Sequence, residues 1–327
     1  MLTDQFNRKI NYIRVSVTYR CDFRCVYCMS EKMKFIPKDD LLSLEEIARI
    51  IRIFNELGIE KVRITGGEPL VRKNIDWLFK TIHKENNFKE ITLTTNGSQL
   101  KQKALMLKDS GVERINISLD SLDPKIFNLM TRVGKLNDVL EGIEHAKKIG
   151  FKKIKLNVVL MKNLNGHEIF NLVDFAIASD FDIAFIEEMP LGNTKFDRSQ
   201  TSISNDNILN SLQTKYSLLK SDLNTGGPSK YWKITNSNTK IGLISPHSHN
   251  FCEDCNRVRI SCKGELFLCL GHEDKVELLP LIKSHPFDDG PIIEAIINSM
   301  KFKPESHTFN LLDKQPSVIR FMSHTGG

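Results

Sequence analysis

Six times in its first two-thirds, the chain repeats one unit: a short run of β-branched and aliphatic residues, then a segment with helical periodicity. The runs are Tyr12–Val17, Lys61–Ile64, Glu90–Leu93, Arg114–Ile117, Ile154–Leu160 and Ile183–Ile186. Short runs rich in Ile, Val, Leu and Thr read as strands. After the first run, Leu44, Ile47, Ile51, Phe54 and Leu57 fall on one helical face. Ser43 and Glu46 have the spacing of a capping box, and Gly58 suits a left-handed stop. Alternating strand and helix units with short connections imply a parallel sheet with right-handed crossovers. No dinucleotide-type glycine fingerprint follows the first run; that loop carries cysteines instead. The expected fold is therefore α/β, a partial (β/α)6 barrel rather than a doubly wound sheet.

From Leu191 onward the alternation stops. Polar residues dominate Ser199–Asn207 and Ser221–Lys230, and a small irregular region with more cysteines follows. An amphipathic segment, Pro291–Met300, and a short tail complete the chain. The division expected is a barrel over residues 1–190 and a smaller C-terminal region over 191–327, within the range that 327 residues allow. The formal charge is +6, but the basic residues are spread along the chain. A solvated surface explains that spread better than a nucleic-acid face, and it leaves room for a local basic pocket. No stretch approaches the ~20 apolar residues of a membrane span. Met1–Gln5 shows no basic run before an apolar core, so a cytoplasmic protein without membrane or nucleic-acid partners is expected.

Seven cysteines form two groups. Cys21, Cys25 and Cys28 make a C-x3-C-x2-C motif directly after the first strand run. Three thiolates on one short loop can hold three irons of a cubane cluster and leave the fourth iron open. A zinc site completed by a distant histidine is the competing reading. Downstream, Cys252, Cys255 and Cys269 form C-x2-C-x13-C, with Cys262 between them. Four thiolates could hold zinc, or three could hold a second open cluster. Arg257 and Arg259 stand two apart, so a strand would point both to one side. Paired guanidinium groups suit phosphate.

The first motif resembles the signature of the radical SAM superfamily. There, three cysteines hold a 4Fe–4S cluster whose open iron takes S-adenosylmethionine (SAM). Tyr27, before the third cysteine, and Thr65-Gly66-Gly67-Glu68-Pro69 belong to the same pattern. Glycine there lets the backbone approach closely. Thr94-Thr95-Asn96-Gly97 and Ser118-Leu119-Asp120 stand at further strand ends, where barrel enzymes place their sites.

Over its whole length the chain is similar to GTP 3′,8-cyclases, which open molybdenum cofactor biosynthesis. The likeness lies in Arg14–Thr18, Lys61–Pro69, Asn116–Asp120, Lys155–Val159, Phe185–Met189, Phe251–Arg259 and Gly326-Gly327. The resemblance implies a radical SAM type of barrel, two 4Fe–4S clusters, and SAM. Its first-cluster ligands correspond to Cys21, Cys25 and Cys28, and its auxiliary-cluster ligands to Cys252, Cys255 and Cys269. SAM contacts correspond to Tyr27, Gly67, Ser118 and Met189. GTP contacts correspond to Arg14, Arg63, Thr94, Lys155, Arg257 and Arg259. Gly326 and Gly327 correspond to a tail that enters the active site. The implied reaction removes the ribose 3′ hydrogen of GTP with a 5′-deoxyadenosyl radical and closes a bond to C8, giving (8S)-3′,8-cyclo-7,8-dihydroguanosine 5′-triphosphate.

An electron donor and the next pathway enzyme, cyclic pyranopterin monophosphate synthase, are the implied partners, and a homodimer is compatible with the family. Tyr19 stands where an aspartate is usual, Ala184 where many members carry arginine, and Cys262 has no counterpart; a free thiol is expected there, with a competing cluster ligand as the other reading. Two other readings use the same motifs. A peptide-modifying radical SAM enzyme would want apolar grooves in place of the arginine set. A non-enzymatic binding module would hold two zinc ions.

Overall fold

The inner strands alternate aliphatic with polar residues, and that alternation decides what the sheet encloses. The computed structural model describes residues 1–327 except 31, 32, 34, 35, 38, 39, 195–197, 312–315 and 327, and describes residue 199 without its side chain. An antiparallel ribbon of β1 (Leu2–Thr3) and β2 (Lys9–Ile10) comes first. Then follow β3 (Tyr12–Ser16), α1 (Leu44–Glu56), β4 (Lys61–Thr65), α2 (Ile75–Glu85), β5 (Glu90–Thr95), α3 (Leu100–Asp109) and β6 (Val112–Ser118). Helices α4 (Pro124–Thr131) and α5 (Leu136–Ile149), β7 (Lys153–Val159), α6 (Ile169–Ser179) and β8 (Asp182–Ile186) complete the alternation. Strands β3 to β8 lie parallel and side by side in chain order. Every crossover thus advances in one direction, as a barrel requires; a doubly wound sheet reverses at a switch point. The six expected strands match to within two residues.

One face of these strands, including Ile13, Val15, Val62, Ile64, Leu93, Ile115, Leu156 and Phe185, packs into the core against the helices. The opposite face carries Tyr12, Arg14, Lys61, Arg63, Glu90, Thr92, Lys155 and Asn157, at strand positions alternating with the aliphatic ones. A closed barrel core would fill that face with Val, Ile and Leu. This barrel instead has a polar, cationic interior, which is suited to a ligand. Helix α1 begins as its capping box predicts: Glu46 N–H donates to Ser43 Oγ at 3.1 Å, and Ser43 N–H to Glu46 Oε2 at 2.8 Å. Gly58 takes φ +94° after it.

The C-terminal part is more regular than its sequence suggests. Helices α7 (Arg198–Thr201) and α8 (Asn205–Gln213) occupy most of the first polar stretch. Strands β9 (Leu218–Ser221), β10 (Lys230–Ile234), β11 (Lys240–Ile244), β12 (Arg257–Ile260), β13 (Glu265–Phe267) and β14 (Lys275–Glu277) follow. Then come α9 (Leu279–Ser284), α10 (Gly290–Ser299) and α11 (Met322–Thr325). β11 joins β8 in parallel and β12 joins β3 in parallel, so these residues extend both edges into one twelve-stranded sheet. These strands have three to five residues and β9 to β13 lack the intervening helices that mark the barrel units, which is why they read as irregular. The β9–β10 connection reaches across to the opposite strands. Lys61 Nζ donates to Thr225 O at 2.9 Å, and Asn256 Nδ2 to Gly226 O at 3.3 Å. No helix among the described residues is long and apolar enough to cross a membrane.

Candidate active site

The loop after β3 carries the first thiols and is tied down on both sides. Arg24 N–H and Val26 N–H donate to Thr131 O and Met130 O on α4, each at 2.9 Å. Cys28 N–H donates to Cys25 O at 3.0 Å, which turns the loop back on itself. Asp22 accepts from Asn96 Nδ2 at 2.7 Å and from Ser98 Oγ at 2.6 Å, anchoring the loop to the end of β5. Burial pushes all three thiols up, Cys28 to about 12, and Cys21 and Cys25 are raised further by neighbouring thiols and carboxylates. Thiols packed this way ionise only when cations stand beside them, which fits metal ligation.

Gly66 and Gly67 explain the glycine pair after β4. Gly67 N–H donates to Thr18 O at 2.7 Å, and Glu68 N–H to Arg20 O at 2.8 Å. A Cβ on Gly66 would stand 2.7 Å from Thr18 O, and one on Gly67 2.9 Å from Tyr19 O and closer still to Arg20 O. Only glycine lets this turn meet the cysteine loop. Glu68, fully buried, accepts from Leu70 N–H (3.0 Å), Thr95 Oγ1 (2.8 Å) and Asn96 N–H (2.7 Å). Burial still outweighs these donors and raises its pKa to about 8.

Tyr27 is held by a residue that sequence reasoning passed over. Its hydroxyl donates to Asp120 Oδ2 at 2.7 Å, while Asp120 Oδ1 accepts from Val159 N–H at 2.8 Å. Burial raises the Asp120 carboxyl to about 6 against those two donors. Asp120 stood in the Ser118-Leu119-Asp120 segment, but nothing in the sequence pairs it with a tyrosine 93 positions away.

The cations come together by sheet register. Arg259 pairs with Arg14, Arg14 with Arg63, and Asn116 with Lys155, each on adjacent strands. Arg63, Lys155 and Arg259 are each at most 8 % exposed. Burial and mutual repulsion lower all three, Arg63 to about 10 and Lys155 to about 7. The carboxylates lining the same cavity are engaged elsewhere. Asp120 holds Tyr27; Glu187 accepts from Asn205 N–H, His247 N–H and Ser248 Oγ; Glu188 faces Arg198 and Thr201. Arg14 Nε, Thr94 Oγ1, Asn157 Oδ1 and Ser229 Oγ are buried without hydrogen-bond partners among the described residues. Buried polar atoms are nearly always bonded, so these mark where a polar ligand completes the set.

Tyr12, also missed, stands between these cations. Its ring lies 5.1 Å from Lys61 Nζ and 5.6 Å from the Arg63 guanidinium. Burial opposes ionisation of its phenol, but Arg63, Arg14 and Lys61 overcome that and bring it down to about 7.

In the second group, Cys255 N–H donates to Cys252 O at 3.0 Å and Gly271 N–H to Cys269 Sγ at 3.4 Å. Burial raises Cys252 and Cys269. Cys255 differs: burial is outweighed by Arg257 and Lys303, which lower it to about 7. Cys262 is fully buried elsewhere. Burial raises its thiol to about 12, and its charged neighbours are Arg72, Glu265 and Lys263. Among the described residues, no three Cys, His, Asp or Glu side chains are placed to share one metal ion. A zinc site needs all its sulfurs about 2.3 Å from one ion, whereas a cubane spreads its thiolates over separate irons. Each group brings three thiols to the cavity wall, the number that an open cubane takes from its protein.

Every sequence-predicted site residue except the terminal glycines lines one cavity, which contains both thiol triads. Gly326 lies beside it: its carbonyl accepts from Arg259 Nη1 at 2.6 Å. Gly327 lies outside the described residues. Tyr19 packs edge-on against His324 of the tail, ring centroids 5.3 Å apart, and His324 Nε2 meets Glu265 Oε2 at 2.6 Å. Ala184 is fully buried on β8 between Asn157 and Gly242 and adds no charge. The cavity wall also includes Phe251, at the head of the second cysteine motif, and His307 and Phe309, which no spacing in the sequence marks.

Comparison with known proteins covers both parts of the chain. Residues 15–176 match the radical SAM superfamily, and residues 181–309 match the Molybdenum Cofactor Synthesis C family. A GTP 3′,8-cyclase of Saccharophagus degradans is 51% identical over 327 residues, covering 100% of this chain and 98% of that one. One from Ectopseudomonas mendocina is 48% identical with the same coverage, as is GTP 3′,8-cyclase 2 of Pseudomonas aeruginosa. Among solved structures, Streptococcus suis SuiB bound to S-adenosylmethionine superposes with a TM-score of 0.62 at 18% identity. It covers 97% of this chain and 77% of that one, a likeness of fold.

Proposed function

The chain belongs to the GTP 3′,8-cyclase family of the radical SAM superfamily, and from that premise we propose how its residues share the work. It converts GTP to (8S)-3′,8-cyclo-7,8-dihydroguanosine 5′-triphosphate, the first step of molybdenum cofactor biosynthesis, with two 4Fe–4S clusters and SAM. When bound, the clusters and SAM supply the one-electron chemistry that removes the ribose 3′ hydrogen and hold the guanine base.

Cys21, Cys25 and Cys28 hold the first cluster, and Cys252, Cys255 and Cys269 the second. Tyr27, fixed by Asp120, offers its ring to the adenine of SAM, with Gly67, Ser118 and Met189 completing that pocket. Arg14, Arg63, Lys155, Arg257 and Arg259 receive the triphosphate, and Thr94 donates its hydroxyl, which has no partner among the described residues. Several cations held in a low-dielectric space repel one another, and the polyanion reverses that cost. Fixing GTP at its phosphates leaves the ribose held for one hydrogen to be taken, and a shielded chamber keeps water from the radical. Gly326, bonded through its carbonyl to Arg259, brings the tail to the chamber, and Gly327 shares its catalytic role. In this reading residues 1–190 carry the SAM chemistry and 191–327 bring the second cluster and much of the nucleotide site. An electron donor reduces the enzyme. The setting is cytoplasmic, and the product passes to cyclic pyranopterin monophosphate synthase.

The observation that carries this reading is a set of five cations, three of them buried, in a cavity lined by both thiol triads, whose lining carboxylates among the described residues are engaged elsewhere. Anaerobically reconstituted protein should contain about eight irons per chain, four for each cubane. Reduced and given SAM and GTP, it should form the cyclised nucleotide. SAM cleavage without that product would sink the substrate assignment. Zinc without sulfide would sink the cofactor assignment.

A further inference from the structure

Lys303 follows the turn that ends α10, and it is 1 % exposed. An ammonium has three N–H donors. Lys303 Nζ meets Cys255 Sγ at 3.5 Å, Arg257 O at 3.1 Å and Leu268 O at 2.5 Å. None of these three partners is a carboxylate. The contrast with Arg8 is direct. Arg8 also reaches the second cysteine group, donating to Cys252 O at 2.8 Å, but it is neutralised by Asp4 at 2.5 Å. A buried ammonium with only neutral oxygens around it is costly, unless the sulfur it touches carries charge.

The two carbonyls are also informative. Arg257 lies two residues after Cys255, and Leu268 immediately precedes Cys269. One ammonium therefore ties together the segments that carry two of the three thiols, and touches one of the sulfurs itself.

We propose that Lys303 is a positioning residue for the second cluster, holding the Cys255 and Cys269 segments together and placing a fixed positive charge at the Cys255 sulfur. This rests on the reading that Cys252, Cys255 and Cys269 hold a cluster. Groups outside the ligand shell set a cluster's potential through charge and hydrogen bonds to sulfur. A cation at that sulfur favours the reduced cluster, the more negative of its two states.

The test uses the full-length chain with Cys21, Cys25 and Cys28 replaced by alanine, so that only the second site can bind iron. Absence of iron and sulfide in this parent would count against the cluster assignment, and not against the role of Lys303. With iron present, the midpoint potential is followed by EPR-monitored titration for the parent, K303R, K303Q and K303M. K303M and K303Q should make reduction at least tenfold less favourable, 59 mV for a one-electron couple. K303R should stay within threefold of the parent. Neutral variants that keep their iron and reduce within twofold of the parent overturn the proposal. Should the neutral variants lose iron, K303R decides. Iron retained by K303R alone supports a need for the charge. Loss in K303R as well, with a collapsed circular dichroism spectrum, reduces Lys303 to a fold residue and overturns the proposal.

Discussion

Replacing Gly326 by alanine tests the C-terminal tail directly, because the local geometry leaves a methyl group no room. Gly326 has φ +74° and ψ 143°, a region that side-chain-bearing residues almost never occupy. Holding alanine there costs about 1–3 kcal/mol. A Cβ would also overlap Thr65 Cγ2, lie 2.7 Å from Thr65 Oγ1 and 3.0 Å from Thr65 Cβ. Rotating the threonine swaps one branch for the other without moving its own Cβ, and Thr65 is 2 % exposed at the end of β4. The tail must therefore withdraw, and the charge-assisted bond from Arg259 to Gly326 O is lost with it. Such a bond contributes about 1.5–3 kcal/mol. Together the two terms give about 2.5–6 kcal/mol, at least about sixtyfold fewer docked tails at ~1.4 kcal/mol per tenfold.

Two assays read this independently. Formation of the cyclised nucleotide by G326A should fall at least thirtyfold. Trimming of the chain end by a carboxypeptidase should accelerate by a similar factor, with little change in melting temperature. G326A/T65A removes the overlapping branches but not the backbone strain, and should recover part of the docking. A G326A enzyme with activity and chain-end protection both within threefold of wild type would refute the reasoning.

Other outcomes follow from the same geometry. Arg257→Ala and Arg259→Ala should each weaken GTP binding tenfold to a hundredfold, the range for a lost charge-assisted contact, while SAM cleavage without GTP continues. Tyr12 has a folded pKa near 7, below its ordinary value of 10, so its ionisation adds stability as pH rises from 7 to 10 and that contribution is lost below 7. The melting-temperature gap between nucleotide-free wild type and Tyr12→Phe should widen over that interval, corresponding to at most about 4 kcal/mol. A flat gap would discard the phenolate. Asp120→Asn should raise the SAM dissociation constant about threefold to tenfold by loosening Tyr27, measurable by equilibrium binding. Cys262→Ser should keep its full iron content, whereas Cys252→Ala, Cys255→Ala and Cys269→Ala should each lose about half.

Much of this site was legible before any coordinates because its parts are local. C-x3-C-x2-C places three thiols on one loop, and Gly66-Gly67 permits a close turn whatever the surrounding fold. The β-branched runs set the barrel strands, and Ser43 with Glu46 set the start of α1. Apart from the strand considered at Arg257 and Arg259, β9 to β14 were not legible, because they are three to five residues long and β9 to β13 do not alternate with helices. The surroundings of Cys262, expected from sequence to be a free thiol, were hidden. It lies among the second group in sequence, yet its charged neighbours are Arg72 and Glu265, brought near by folding.

The sequence by itself determined the chemistry: which residues can bind iron, which carry positive charge, and where the chain alternates. Tertiary structure alone decided the company those residues keep. Asp120 meets Tyr27, Lys303 meets Cys255, and Tyr12 stands among Arg14, Lys61 and Arg63, because sheet register and packing bring distant segments together. The physical reason is that charge and hydrogen bonding depend on distance and burial. A linear pattern carries neither for residues joined only by the fold.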